Sequence, residues 1–571
     1  LSFAAHRVTP HVGAADSLGE LLLDALRTHP SATLLIEARR KSEGHRLDAT
    51  QVRRQAMAFA AHLQALGVGP GDRVAIIMSN QSRWPLSALA VFWAGAVLVP
   101  LDYKLTGPEQ ADLLRHSSAK AVIIEFAEWR KHPEGPPAPL VLVSEAPDDA
   151  ALGAASRWED HAASGEPRPV ARSRDDLACI VYSSGTGGRP KGCQMSHGAY
   201  LAQLEGLLER FPMAPGDVYF SILPSNHAID FMVGFVGPFV CGATVVHQRT
   251  LRPEMLLWTM QRYQVTHMAV VPLILKAFQR AIREKIDAQT GLKRLALDAL
   301  IQANATWTDR RPDPAASRRL LAPIHEAFGG RLRLLFCGGA FTDRAIVDDF
   351  YRMGLPVVVG YGLTEACTVI SVHGTTPFRS DGVGRVLDQV EVKVDQPGPD
   401  GVGEICVRGP TLMMGYLHDP EQTAAVVRDG WLHTGDLGLL DASHHLHLVG
   451  RRKDVIVTEG GKNIYPEDIE RAFADLDVEE LTVFAANTLW PARTMQGEQL
   501  VVVLRPKDGV PYAAALAAAN RSLPDFKRVA GVLVWAEAFP RTASMKLQRA
   551  ELVRRVVAAD LPRSALKPVG A

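Results

Sequence analysis

Short runs of apolar, β-branched residues alternate with stretches of helical periodicity along most of this chain. Residues 74–78 (VAIIM) and 121–125 (AVIIE) are apolar at consecutive positions. A strand reads this way when both faces of its sheet are covered. Helix-like spacing separates the two runs, over 56–66 and 109–115, and further runs follow at 140–143, 178–182, 244–247, 268–271 and 332–337. The pattern predicts an α/β fold with parallel sheets in several layered subdomains. With 571 residues, more than one domain is expected. The texture changes after Gly450, where a charged turn is followed by a compact helix–strand pattern. The boundary is therefore placed between a large N-terminal domain, 1–450, and a small C-terminal α+β domain, 451–571.

Charge and composition exclude some partners. Lys plus Arg equals Asp plus Glu, at 62 each, so no global field attracts nucleic acid or an anionic membrane. Arg7, Asp16, Glu20 and Asp24 interrupt every early apolar run, so no secretory signal is expected. The longest apolar stretch, 88–101, has 14 residues against the roughly 20 of a bilayer span. It reads as a buried helix followed by a strand. None of the six cysteines forms a CxxC pair, which predicts reduced core thiols in a cytoplasmic protein, with no structural zinc. Residues 282–317, rich in Lys, Arg and Asp, read as a helix and a polar turn near 308–314. A solvated face is the plainer reading of that segment, and a membrane- or partner-facing patch the sharper one.

The strongest single motif is 182–192, YSSGTGGRPKG, between the buried run 177–181 and a helix expected to start near Ser196. Ser, Thr and Gly in a tight loop present N–H groups and hydroxyls that suit phosphate oxygens, and Lys191 adds a compact charge. A Walker loop would need Gly before the Lys, where this chain has Pro190, and a dinucleotide fingerprint would need GxGxxG. Alone, such a loop is as readily a turn without a ligand.

It is not alone. The loop resembles the phosphate signature of the adenylate-forming superfamily of acyl-CoA synthetases, luciferases and adenylation domains, with Gly187 in place of a second Thr. In family order there follow LPSNH (223–227), GGA (338–340), GYGLTEA (360–366), WLHTGDLG (431–438), GRRKD (450–454), the loop 460–466, and PRTASMKLQR (540–549), with Met545 in place of the usual Gly. The closest likeness is to bacterial long-chain fatty acyl-CoA synthetases, carried by 222–285 and 324–340.

The resemblance implies a reaction and its residues. ATP with Mg²⁺ converts a carboxylic acid to acyl-AMP, and CoA then takes the acyl group. Ser183, Ser184, Gly185, Thr186, Gly188 and Lys191 would hold phosphates; Gly339, Ala340, Tyr361 and Gly362 the adenine; Asp436 and Arg451 the ribose. Thr364 would touch the α-phosphate and Glu365 would carry Mg²⁺. His227 would stand beside the acyl and thiol sites, with a satisfied core His the alternative. Lys546 would stabilise charge at the α-phosphorus, and the small domain, a mobile lid, would turn about Lys453. Phe231, Met232, Val233 and Phe235 offer apolar surface for an acyl chain, with plain helix core the alternative. His444, His445 and His447 read as hairpin residues rather than a metal cluster. Cys193 and Cys337 read as packed bystanders.

The acid is expected to be a medium- to long-chain fatty acid. An acyl carrier protein in place of CoA, release of the adenylate without a thiol, and a non-catalytic nucleotide or acyl-adenylate sensor stay open at this stage. A lipid substrate is compatible with peripheral contact at the inner face of the membrane. Oligomeric state is not legible.

Overall fold

The computed structural model of the chain describes residues 11–39, 42–163, 165–168, 170–183, 190–309, 311–457, 463–490, 499–541 and 547–569. By its internal contacts the chain divides into two compact units. One is Leu1–Glu391 with Val407–Leu432, the other Val392–Cys406 with His433–Ala571.

Two large sheets build the first unit. The nine-stranded sheet has the order β16 (Arg385–Val386), β15 (Ser371–Val372), β14 (Val357–Tyr361), β13 (Leu334–Cys337), β12 (His267–Val270), β10 (Val218–Ser221), β11 (Thr244–Gln248), β1 (Thr33–Arg39), β2 (Ser42–Asp48). Neighbours are parallel from β14 through β1, and antiparallel pairing is confined to the two edges. In the eight-stranded sheet a two-residue strand, Gly415–Tyr416, is followed by β9 (Lys191–Ser196), β8 (Leu177–Ser183), β4 (Val97–Pro100), β3 (Arg73–Ile77), β5 (Ala121–Glu125), β6 (Leu140–Ser144) and β7 (Ser156–Arg157). It is parallel from β8 through β7. The consecutive apolar runs of the sequence are these parallel strands, covered on both faces. The stretch 88–101 is the end of the helix Arg83–Trp93 followed by β4, and every residue from 84 to 101 is buried.

The expected helix after the glycine-rich motif is present, His197–Arg210, with the Ser196 side chain accepting from Ala199 N as its cap. A strand the sequence did not suggest, β9, comes first and pairs antiparallel with β8. The described ends of the motif, Tyr182–Ser183 and Lys191–Gly192, therefore face each other on paired strands.

Of the two readings of the 231–235 segment, acyl surface and helix core, the packing favours helix core. Phe231, Met232 and Phe235 are buried in the main core, with Val233 packed against it. Phe231 and Phe235 meet the Trp84 ring edge-on at 6.3 and 6.0 Å. Their apolarity serves packing, worth roughly 1.5–3 kcal/mol for each fully buried side chain.

The segment Asp230–Val236 is a π-helix. At its start Asp230 is 1% exposed and accepts from Ser221 Oγ at 2.7 Å and Tyr219 OH at 3.2 Å. Burial pushes its carboxyl from 3.8 up to about 7, against the pull of the hydroxyls of Ser221, Tyr219 and Ser225. Below pH 4 both folded and unfolded states hold the proton, so burial costs nothing. Between pH 4 and 7 the unfolded state ionises first, and stability falls as pH rises. Asp230→Asn is therefore expected to raise the melting temperature at pH 8, and the gain should shrink toward pH 4. Its full size is on the order of 3–4 kcal/mol. A gain or loss that does not change with pH would contradict this.

In the second unit a four-stranded mixed sheet has the order Glu480–Ala485, Leu500–Arg505, Val529–Val534, Leu566–Pro568. Val483, Val502 and Leu504 face a core with Ile469 and Leu516. Phe484, Val501 and Val503 face another with Leu533, Leu552 and Val556. This alternation is the period of two expected of strands. Glu480 accepts from Arg541 Nη2 at 2.8 Å, and Glu470 takes Arg549 Nη2 on both oxygens at 2.7 Å. These two ion pairs bracket residues 542–546.

Candidate functional site

In a parallel sheet, loops at the carboxyl ends of the strands share one edge, where ligands bind in open α/β folds. Three sequence motifs fall on that edge of the nine-stranded sheet. LPSNH follows β10, GGA follows β13, and GYGLTEA begins at the end of β14. Two turns pack closely here. A Cβ on Gly338 would lie 3.1 Å from Gly360 O and 3.7 Å from Ile229 Cδ1, which brings the acyl motif's flank against the GGA turn. Gly339 has φ +85°, in the left-handed region glycine favours. A Cβ on Gly362 would lie 1.6 Å from Thr368 O, so no side chain fits there. Tyr361 and Thr364 are half-buried along this edge and Ala340 is exposed; His227 is half-buried too, and its carbonyl accepts from Phe231 N at 2.9 Å.

The phosphate hairpin meets the same edge. Ser183 and Lys191 are cross-strand partners at the mouth of the β8–β9 hairpin. Ser183 Oγ donates to Glu365 Oε1 at 3.2 Å. Ser184, Gly185, Thr186 and Gly188 lie outside the described residues.

A residue the sequence reading missed ties these parts together. Tyr416 OH donates to Glu365 Oε1 at 3.0 Å, and Lys191 Nζ lies 4.9 Å from the centre of the Tyr416 ring. Burial, with the Glu365 charge next, pushes the Tyr416 phenol well above its ordinary range, so it stays protonated and donates. One tyrosine thus holds both the carboxylate and the ammonium, the latter by its ring face. Met413 N donates to Glu365 O at 2.9 Å, docking the segment before Tyr416 on the GYGLTEA turn. Asn80 is a second missed residue. Its side chain accepts from Ser225 N at 3.0 Å and donates to Leu223 O at 2.6 Å, fixing the LPSNH loop from β3's side of the unit.

Ser183 Oγ and Tyr416 OH both donate to Oε1 of Glu365. Among the described residues Oε2 takes no hydrogen bond, which suits a carboxylate that carries a hard cation such as Mg²⁺. Cys193, beside Ser183 at 3.9 Å, has its thiol pushed well up by burial and by Glu365. Cys337 is likewise buried, with its thiol pushed up to about 12. Neither is a reactive thiolate.

In the second unit residues of the WLHTGDLG and GRRKD motifs come together. The strand Leu446–Arg451 pairs antiparallel with residues 436–440, in a register that sets Asp436 opposite Arg451. Arg451 Nε lies 3.0 Å from Asp436 Oδ1, with Asp436 7% exposed. Thr434 Oγ accepts from Asp436 N at 3.0 Å and donates to Ile405 O at 2.7 Å. Lys453 sits in the 3₁₀ turn Arg452–Asp454, its ammonium pulled down by burial against the opposing pull of Asp454. Lys546 lies outside the described residues.

Two polar clusters nearby have local explanations. His444 and His445 lie at the hairpin turn and His447 on the strand that follows, where its Nε2 is 3.2 Å from Asp441 Oδ2. Asp395, Glu404, Cys406 and His433 bring one potential ligand atom each within 4.8 Å of one another, on three neighbouring strands. Glu404 already accepts from Gly435 N at 3.0 Å and pairs with Arg452 Nη1 at 3.0 Å. The cluster reads as a polar peg between strands.

Comparison with known proteins completes the picture. Residues 22–417 match the family model described as AMP-binding enzyme. The chain is 29% identical over 555 residues to a feruloyl-CoA synthase of Amycolatopsis, covering 94% of this chain and 99% of that one. It is 28% identical over 491 residues to the long-chain-fatty-acid–CoA ligase FadD15 of Mycobacterium bovis, covering 80% and 78%. Its fold is similar to that of the O-succinylbenzoate coenzyme A synthetase MenE of Bacillus subtilis, solved in complex with ATP and magnesium ion. That match has a TM-score of 0.72, at 22% identity, and covers 93% of this chain and 98% of that one.

Proposed function

Because the chain belongs to the AMP-binding enzyme family, we propose that it is an acid–CoA ligase that works through an acyl-adenylate, with a medium- to long-chain fatty acid as its acid. The observation that carries the reaction is Glu365, held by Ser183 and Tyr416 at the sheet edge beside Lys191.

A carboxylate oxygen of the acid attacks the α-phosphorus of ATP, and pyrophosphate leaves. The CoA sulfur then attacks the acyl carbon and AMP leaves, taking that oxygen with it. Mg²⁺, when bound, neutralises charge on the phosphate oxygens. The hairpin residues Ser183, Ser184, Gly185, Thr186, Gly188 and Lys191 hold the leaving pyrophosphate, by position and charge. Thr364 donates to the α-phosphate. Gly339, Ala340, Tyr361 and Gly362 form the adenine wall, Asp436 accepts from the ribose hydroxyls, and Arg451 steadies Asp436. His227 stands at the acyl and thiol side. Lys546 completes the charge at the α-phosphorus, and residues 451–571 turn about Lys453 between the two half-reactions.

Tyr416 is assigned as a positioning residue. Tyr416→Phe keeps the ring under Lys191 but removes one charge-assisted bond to Glu365, worth roughly 1.5 kcal/mol. Adenylation is expected to slow about tenfold, with half-saturation by Mg²⁺ shifted upward. An unchanged Mg²⁺ dependence would remove Tyr416 from this role.

The fatty-acid choice rests on the long-chain character of 222–285 and 324–340 and on the similarity to FadD15. A second reading, an aromatic acid, is favoured by the similarity to feruloyl-CoA synthase over nearly the whole chain, and by the core burial of Phe231, Met232 and Phe235. Mass spectrometry with ATP, Mg²⁺ and a panel of fatty and aryl acids, with and without CoA, decides between them. Acyl-CoA peaking at long alkyl chains supports the first. A peak at cinnamate-like acids overturns it in favour of the second. Acyl-adenylate that CoA does not consume would point to an acyl carrier protein or to release as adenylate, and ATP binding without turnover to a sensor. The place of action proposed is the cytoplasm, with peripheral contact at the inner face of the membrane.

A further inference from the structure

Between β12 and β13 the chain makes an excursion of four helices: Pro272–Asp287, Gly291–Thr308, Pro314–Leu320 and Ala322–Ala327. The second, Gly291–Thr308, has two unlike faces. One face is buried through Ile301, Asn304 and Thr308. It is fixed there by hydrogen bonds: Asn304 Nδ2 to Arg352 O at 3.1 Å, Ser317 Oγ to Asn304 Oδ1 at 2.7 Å, and Tyr351 OH to Thr308 O at 3.3 Å. The other face carries Leu292, Leu295, Ala296, Ala299, Ala303 and Trp307, at the three- and four-residue spacing of a single helical stripe. That stripe is exposed. Leu292 is 84% accessible, Trp307 76% and Leu295 67%, the three most exposed large apolar residues among those described.

The charge around the stripe is not that of the chain. Residues 272–320 hold ten Lys or Arg against five Asp or Glu, whereas over the whole chain the two balance at 62 each. Lys285, Lys293, Arg311 and Arg319 are exposed beside or beyond the ends of the stripe. Large aliphatic groups and a Trp along one helix face, with Lys293 exposed on the same helix and further cations beyond its ends, make up the pattern of a helix that lies in a bilayer interface. An acidic protein partner would instead be met by cations at the centre of the patch. No described helix is long and apolar enough to cross a membrane, so the contact lies in the plane.

We infer that the exposed face of Gly291–Thr308 docks on an anionic lipid bilayer, its apolar stripe in the headgroup–acyl boundary and its flanking cations on lipid phosphates. This names the surface for the peripheral contact proposed above and rests on the helix, not on the identity of the acid. The test is sedimentation of the full chain, without substrates, with vesicles of phosphatidylcholine alone or with roughly one-third phosphatidylglycerol. The full chain is expected to sediment with the anionic vesicles and to be released as salt rises. The double variant Leu295→Glu, Trp307→Glu should keep its melting temperature and lose at least about tenfold in partition, since two large apolar groups no longer leave water. Lys293→Glu should weaken binding to anionic vesicles alone. Failure of the full chain to bind anionic vesicles would overturn the inference, as would undiminished binding by the double variant. A concentration-dependent dimer that the double variant abolishes, with no vesicle binding, would assign the face to a second copy and overturn it too.

Discussion

Lys546→Ala is expected to abolish acyl-adenylate formation while leaving thioester formation from supplied acyl-adenylate close to that of the parent chain. The asymmetry comes from where charge develops. Attack of a carboxylate on the α-phosphorus concentrates negative charge at one centre, and a positioned ammonium stabilises it more in the transition state than in the ground state. Removing one such group from a preorganised site costs about 10²–10³ in rate, or more. In the second half-reaction AMP leaves an acyl carbon, and no pentacoordinate phosphorus forms. Lys546 lies between two anchored points, Arg541 on Glu480 and Arg549 on Glu470. Neither pair includes Lys546, so the variant should fold. Single-turnover assays of the two half-reactions separate the outcomes. Undiminished adenylation, or equal loss in both, would take Lys546 out of this role.

Glu365→Gln should slow adenylation about a hundredfold at fixed Mg²⁺, with part of the loss recovered as Mg²⁺ is raised. The amide keeps the shape of the side chain, and its oxygen still accepts from Ser183 Oγ and Tyr416 OH at the Oε1 position. What disappears is the charge, and hard divalent cations favour anionic oxygen ligands. A rate loss that Mg²⁺ does not relieve would indicate a collapsed hairpin mouth instead. A Mg²⁺ dependence identical to the parent's would mean that Glu365 does not carry the ion.

Much of this arrangement was legible in the sequence, for reasons that differ from element to element. Strands buried on both faces must be apolar throughout, so β3, β5, β6, β11 and β12 could be read almost to their ends. β9 escaped because KGCQMS mixes polar and apolar residues without alternation, and its pairing is fixed by β8 rather than by its own pattern. Motif order located Asp436 and Arg451, but only the strand register shows that they face each other. Tyr416 could not be found from sequence, since its bond to Glu365 joins residues 51 positions apart. Phe231, Met232 and Phe235 illustrate a different limit. Apolar residues line cavities and fill cores alike, and only packing tells the two apart. The charged excursion after β12 was read mainly as a solvated face. Its leucines and Trp307 matter because the fold turns one stripe inward and leaves the other out.

The measurement that tests the central claim most directly follows the oxygen atoms of the acid. The protein is given ATP, Mg²⁺, CoA and a carboxylic acid labelled with ¹⁸O in both carboxyl positions, and the nucleotide product is weighed. Attack of the carboxylate on the α-phosphorus predicts AMP that carries a single ¹⁸O, formed together with pyrophosphate and acyl-CoA. Unlabelled AMP, or ADP with labelled phosphate, would mean that the acid is not activated as an acyl-adenylate, and the roles assigned to Glu365, Lys191 and Lys546 would fall with it.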